Sequence, residues 1–134
     1  MISHLTKFRV RYSETDQMGY VYYGNYAQYF EVGRVEWLRN LGISYKTMED
    51  EGIMLPVIKL QINYLKPAKY DNLLTLKTTL VKKPGVRIQF SYELYNEQKD
   101  LLVTGDTELV FIDIAKNKPT KTPTLLSQKI EMLF

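Results

Sequence analysis

From Glu14 to Tyr26 the chain reads Glu-Thr-Asp-Gln-Met-Gly-Tyr-Val-Tyr-Tyr-Gly-Asn-Tyr, so a carboxylate, a turn-forming glycine and a helix start fall close together. A helix N-terminus presents N–H groups without intrahelical acceptors and carries partial positive charge. Such groups polarise a carbonyl oxygen and hold the oxyanion that forms when the carbonyl is attacked. A carboxylate a few residues earlier, at Asp16, on a loop that Gly19 lets turn back, can reach the same carbonyl as general base or nucleophile. Together these elements suffice for acyl transfer. An aspartate here also serves as a plain helix cap or a bond within its own loop, so the residues leave both roles open.

Other chemistries are excluded by what is missing. With no cysteine there is no disulfide framework, thiolate nucleophile, cysteine zinc site or iron–sulfur cluster. The single histidine, His4, has no second histidine to share a metal, and it lies in a terminal segment expected to fray. Gly19 and Gly24 have the spacing of a phosphate-binding loop, but Asn25 and Tyr26 follow where Lys and Ser or Thr are required. No G-x-S-x-G, H-E-x-x-H or EF-hand pattern occurs. A catalytic role must rest on carboxylates, tyrosines, amides or backbone groups, and neither a metal nor an organic cofactor is expected.

The elements that must position these groups can be read from periodicity. Residues 7–12 alternate, with Phe8, Val10 and Tyr12 on one face, as in a strand. From 23 to 41 the period becomes helical: Tyr26, Phe30, Gly33, Trp37 and Leu41 share an arc widened by Tyr29. Val32, Val35 and Leu38 lie outside it, which predicts a helix enclosed on more than one side. Gly42 ends this helix, and Ser44 can cap a short second one to about Glu51. Strand-like runs follow at 57–65, 73–81, 86–96 and 101–114, read as a meander with turns at Pro84-Gly85 and between Asn96 and Asp100. Residues 116–123 read as irregular, before a short final segment of helical character.

The order predicts an α+β fold in which one curved antiparallel sheet of about five strands covers one long helix. At 134 residues the chain reads as a single domain, 1–134. Open sheet edges are pairing surfaces, so self-association is expected. The N-terminal MISHLTKFRV has no signal-like apolar stretch and no run is long enough to span a bilayer, so a cytoplasmic protein without membrane insertion is expected. The formal charge is only +3, but between Lys59 and Arg87 seven basic residues accompany Asp71 alone, which suits a ligand that carries phosphates.

The run from Tyr12 to Tyr26, followed by Tyr29-Phe30-Glu31 and Glu36-Trp37-Leu38, resembles the signature of hotdog-fold acyl-CoA thioesterases of the 4-hydroxybenzoyl-CoA thioesterase type, with the Tol-Pal-associated branch looking most similar. The resemblance extends through Tyr64-Leu-Lys-Pro67-Ala68-Lys-Tyr-Asp71 to Lys118-Pro119-Thr-Lys121-Thr-Pro123. It implies a helix wrapped by a five-stranded sheet, homodimers or homotetramers, and hydrolysis of a thioester between an acyl group and coenzyme A or acyl carrier protein. The catalytic aspartate of the family falls on Asp16 and its oxyanion amide on Tyr23. Many members of that branch carry histidine at the position of Tyr23, whereas the hydroxybenzoyl type has tyrosine; any non-proline residue supplies the amide.

Further residues have two readings each. Glu31 is an alternative acid on the long helix, or part of a salt-bridged face. Asn25 orients substrate or Asp16, or bonds the helix entrance. Tyr22, Tyr23, Tyr26 and Tyr29 line an aromatic acyl pocket, or pack sheet against helix. Lys82, Lys83, Arg87, Lys116, Lys118 and Lys121 engage the phosphates of coenzyme A, or are solvated edge residues. Tyr64 and Pro67-Ala68 read as strand core and turn. Two rivals to a thioesterase are a hotdog protein that binds acyl-CoA or acyl carrier protein without turnover, and a single-strand nucleic-acid binder using its 11 tyrosines. The concentration of tyrosines beside an apolar helix disfavours nucleic acid.

Overall fold

The structure, a computed structural model, describes residues 2–134. Strand β1 (Ile2–Arg9) points Phe8 inward and Lys7 and Arg9 outward. It starts earlier than the alternation at 7–12 predicted and includes His4, paired opposite Thr78, so the terminal segment expected to fray is an edge strand bonded throughout. Its outer end is also earlier. Val10 leaves the ladder to donate to Asn72 O at 3.0 Å, and Tyr12, expected on the inward face, is 78% exposed in a 3-10 turn (Tyr12–Glu14).

A second 3-10 turn (Tyr23–Asn25) leads into α1 (Tyr26–Asn40). Its predicted arc is the buried one: Tyr26, Tyr29, Phe30, Gly33 and Trp37 all face the interior. Phe30 stacks on Tyr92 with ring centres 4.2 Å apart, and Trp37 meets Phe90 edge-on at 5.1 Å. At Gly33 the helix lies so close to the sheet that a Cβ would run into Thr78 Oγ1 and Leu76 Cδ2. Burial of each large apolar side chain contributes about 1.5–3 kcal/mol, so this stripe rather than helix propensity holds α1 in place. Leu38, outside the arc, is buried in the same cluster as Met48, Leu126 and Ile130. Val32 is 43% exposed, so the predicted enclosure fails on its side.

Helix α2 (Tyr45–Asp50) is capped as predicted: Ser44 Oγ accepts from Thr47 N–H at 3.1 Å. There follow β2 (Ile53–Met54), β3 (Val57–Tyr64), β4 (Leu73–Leu80), β5 (Arg87–Tyr95), β6 (Leu101–Val110), β7 (Ile112–Asp113), β8 (Lys118–Pro119) and α3 (Thr124–Glu131). The main sheet has the order β1-β4-β5-β6-β3, with every pair antiparallel, and α1 packs on its inner face against β1 and β4. This is the predicted α+β arrangement of one long helix against a five-stranded sheet.

Two features differ from the predicted meander. Strand β3 does not neighbour β4; it pairs with β6, and residues 65–72 carry the chain across the open end of the sheet to β4, beside β1. That link is long enough to cross, whereas the short turns before β5 and β6 force hairpins. The last run breaks at Phe111, whose N–H donates to Val86 O, and β7 and β8 form a small separate sheet with β2. Among the described residues no helix is long and apolar enough to cross a membrane.

Candidate active site

The site lies at the end of the sheet where β1 leaves and residues 65–72 cross. Gly19, at φ +78°, closes the Asp16 turn, donating its N–H to Asp16 O at 3.0 Å. Asp16 N–H donates to Tyr20 O at 2.8 Å. Asp16 Oδ1 accepts from the N–H groups of Met18 (2.9 Å) and Tyr20 (3.2 Å), which fixes the carboxylate; Oδ2 accepts nothing among the described residues. The loop bond is therefore present, but the helix-cap role is not: α1 begins ten positions later, and its capping residue is Asn25. The loop docks on the crossing link through Val21 N–H to Ala68 O (2.8 Å) and a bridge between Tyr20 and Lys69.

The 3-10 turn at Tyr23–Asn25, which leads into α1, completes the arrangement. Neither Tyr23 nor Gly24 N–H has an acceptor among the described residues, as the first turn of a helix requires unless a ligand supplies one. Asp16 and Tyr23 line one groove of about 360 Å³, together with Met18, Tyr26, Tyr64 and Pro67. A carboxylate and the positive end of a helix thus face one space, as acyl transfer to water demands.

The tyrosines divide between the two readings. Tyr23 and Tyr26 line the groove, Tyr22 lies beside the Tyr23 ring at 4.6 Å, and Tyr29 packs inward on Phe8 at 4.7 Å. Burial raises the pKa of the Tyr26 hydroxyl, which accepts from Ala68 N–H at 3.3 Å and stays protonated at neutral pH. Asn25 Nδ2 donates to Glu14 O at 2.8 Å, the helix-entrance bond. Glu31 lines a different groove with Arg34 and Tyr45. The Arg34 guanidinium there is buried and donates through Nε to Tyr45 Oη at 3.1 Å.

Tyr64, read from sequence as strand core, belongs to the groove instead. It is 51% exposed at the end of the edge strand, where the Tyr26 ring of α1 meets it edge-on at 5.5 Å; its hydroxyl donates to Tyr23 O at 3.3 Å. Glu14, to which the sequence assigns no role of its own, is almost wholly buried. Its only signal was its place two residues before Asp16.

The basic residues are brought together, but elsewhere. Lys82 and Lys83 follow the far end of β4, Arg87 opens β5, Lys118 lies in β8, and Thr122 N–H bonds Gly85 O, which draws Lys121 to the same end. The length of β4, about 24 Å at ~3.4 Å per residue, separates them from the Asp16 groove in one chain. Lys83 pairs with Glu131 at 2.9 Å and Arg87 with Glu108 at 2.7 Å. Gln89 and Arg87 hold the Glu108 carboxyl below the ordinary range. Lys82, Lys118 and Lys121 have no ion-pair partner among the described residues.

The same architecture occurs in a DHNA-CoA thioesterase from Staphylococcus aureus, 38% identical to this chain, with a TM-score of 0.93 over 99% of this chain and 91% of that one. In sequence the chain is similar to YneP of Bacillus subtilis, 35% identical over 87% of this chain and 86% of that protein. It is also similar to the acyl-CoA thioester hydrolase YbgC of Escherichia coli O6:H1, 30% identical over 86% of each. The family model described as the Thioesterase superfamily matches residues 18–103, a span that runs from beside Asp16 through α1 and into β6. By this match and by the identity to its relatives, the chain belongs to the Thioesterase superfamily.

Proposed function

We propose that this protein hydrolyses acyl-CoA thioesters, with Asp16 as the catalytic carboxylate and the Tyr23 amide as oxyanion donor. The supporting observation is that a carboxylate pinned through one oxygen and an unspent helix-terminal N–H line the same groove. In the base route, Asp16 takes a proton from water as the water oxygen adds to the carbonyl carbon. The Tyr23 N–H then holds the oxyanion, the C–S bond breaks, and the departing thiolate takes up a proton, giving free acid and thiol. In the nucleophile route the carboxylate itself adds to the carbonyl carbon, the C–S bond breaks to release the thiolate, and water cleaves the resulting anhydride to free acid and the Asp16 carboxylate, its proton going to the thiolate. Single turnover in heavy-oxygen water separates the two, because only the anhydride route can leave label in Asp16.

Tyr23, Tyr26 and Tyr64 in the groove wall favour an aromatic acyl group, in keeping with the similarity to a DHNA-CoA thioesterase. The functional unit in this reading is a dimer. β3 is an edge strand whose Val57, Ile58, Leu60 and Tyr64 are all more than 40% exposed, an apolar edge that a second copy would cover. Antiparallel two-fold pairing of β3 sets the Tyr64 end of one strand beside the Val57 end of the other. That brings the basic end of the second copy toward the Asp16 groove, where Lys82, Lys118 and Lys121 can meet the phosphates of coenzyme A.

The test is a kcat/KM panel over short, long and aromatic acyl-CoAs for the native protein and Asp16→Asn. The expected result is highest kcat/KM with an aromatic acyl-CoA and a fall in kcat of at least about a hundredfold in the variant, the low end for loss of a general base. A variant retaining more than about a third of native turnover overturns the assignment of Asp16. A native protein that binds acyl-CoA without releasing thiol is a binding protein.

A further inference from the structure

The least expected group near the groove is a buried carboxylate that does not face it. Glu14 is only 9% exposed, although charged side chains are seldom buried unless paired. Its Oε1 accepts from Arg11 N–H at 2.8 Å and from the Tyr29 hydroxyl at 3.0 Å. Its Oε2 accepts from Arg11 Nε at 3.3 Å and Nη2 at 3.2 Å. The main-chain carbonyl of the same residue accepts from Tyr22 N–H at 2.9 Å and Asn25 Nδ2 at 2.8 Å. One residue therefore joins the exit of β1, the second turn of α1 and both sides of the helix entrance.

The positions of these bonds are what matter for chemistry. Glu14 precedes Asp16 by two residues, and Tyr22 immediately precedes Tyr23. A shift of Glu14 would move the carboxylate and the oxyanion amide relative to each other. Burial, followed by the bond to Glu14, raises the pKa of the Tyr29 hydroxyl, so it stays protonated and can only donate to the carboxylate. The Asp16 loop has few other ties to the helix: its remaining bonds are internal or run to residues 65–72.

We infer that Glu14 is a positioning residue, which holds the Asp16 carboxylate in register with the Tyr23 amide through its bonds to Arg11 and Tyr29 and does not touch substrate. This rests on the reading of Asp16 and Tyr23 as the catalytic pair. Glu14→Gln keeps the size of the side chain but turns an amide toward the Arg11 guanidinium, setting donor against donor. Tyr29→Phe removes a single bond and leaves the ring packing intact.

The experiment measures kcat and KM on one acyl-CoA for the native protein, Glu14→Gln, Tyr29→Phe, Asp16→Asn and the two double variants with Asp16→Asn, with circular dichroism on each. Misplacement of reacting groups by about 1 Å can cost about a hundredfold. Glu14→Gln is therefore expected to lower kcat by at least about tenfold and Tyr29→Phe by a smaller factor, with KM within about threefold. On the Asp16→Asn background both effects should shrink to within about twofold, because the group being positioned is gone. If Glu14→Gln fails to fold, Tyr29→Phe decides by the same criteria. Native kcat in the folded variants, or an undiminished loss on the Asp16→Asn background, overturns the role of Glu14 while the catalytic pair stands. Native turnover in Asp16→Asn overturns both.

Discussion

The Tyr64 hydroxyl donates to the Tyr23 carbonyl at 3.3 Å, which ties the last residue of the edge strand β3 to the turn that opens α1. The carbonyl belongs to the residue whose N–H is the proposed oxyanion donor. The strand on which a second copy would pair is thus bonded to the turn proposed to hold the oxyanion.

Removal of this bond alone should have a small, specific effect. An ordinary hydrogen bond contributes about 0.5–1.5 kcal/mol, and Tyr64 is half exposed, so the low end applies. Tyr64→Phe is expected to lower kcat about two- to fivefold on an aromatic acyl-CoA with little change in KM, since the ring still lines the groove. Tyr64→Ala, which removes the wall, should raise KM as well. Steady-state kinetics of the two variants distinguish these effects, and a Tyr64→Phe enzyme with native kcat would show that the bond does not hold the turn.

What the sequence makes legible is local. Asp16, Gly19 and Tyr23 fall within eight positions, so a turn at Gly19 and a helix start suffice to bring Asp16 and Tyr23 to one groove. The arc from Tyr26 to Trp37 is legible for the same reason, because a single helical period places it. Tyr64 is not, because the alternation of β3 is the same whether it lies beside β4 or, as here, beside β6 at an uncovered edge. The basic residues could be counted, but their distance from Asp16 depends on which end of β4 each loop joins. Glu14 gives no sequence signal beyond its place two residues before Asp16, since a charged residue in a polar loop is ordinarily exposed.

Alkaline pH should weaken the fold through Tyr45. Burial raises its pKa to about 12 from 10.0, against the opposing pull of the adjacent Arg34 guanidinium. The folded protein therefore keeps Tyr45 neutral where the unfolded chain has begun to ionise. Its contribution is complete below about pH 10 and is lost as the pH rises toward 12. Urea unfolding at pH 9 and pH 11 is expected to show a smaller loss of stability for Tyr45→Phe than for the native protein. The difference should be at most about 1.4 kcal/mol, the value of one pKa unit. Identical losses would show that Tyr45 does not report on alkaline unfolding.

The exposed edge gives a test of assembly. Leu60 lies near the middle of β3 and is 44% exposed, so two-fold pairing brings two copies of it close together. Leu60→Lys would set like charges in that pairing. Light scattering at micromolar concentration should give about twice the 15.8 kDa chain mass, or a higher multiple, for the native protein and a lower mass for the variant, with unchanged circular dichroism. A native protein at the chain mass would remove the dimer from the proposal.

The basic end supplies a final test, which joins assembly to substrate binding. Lys82 and Lys121 are the better probes because Lys83 and Arg87 already pair with Glu131 and Glu108. If they meet the phosphates of coenzyme A in the second copy's groove, Lys82→Glu with Lys121→Glu should raise KM for acyl-CoA and leave kcat nearly unchanged. Phosphates far from the carbonyl are held equally in the ground and transition states, so their loss removes uniform binding. An acyl-pantetheine, which lacks the nucleotide, should be hydrolysed alike by both proteins. Added salt should raise KM more for the native protein than for the double variant, because the variant has less attraction to screen. In the Leu60→Lys background the two lysines have no neighbouring groove to serve, and their reversal should no longer change KM. Equal KM values for the native protein and the double variant at low and moderate salt would show that this end of the sheet is a solvated edge. The phosphates would then have to be met by the basic residues beside the groove, Lys66 and Lys69, of which Lys66 lines it and Lys69 bridges to Tyr20.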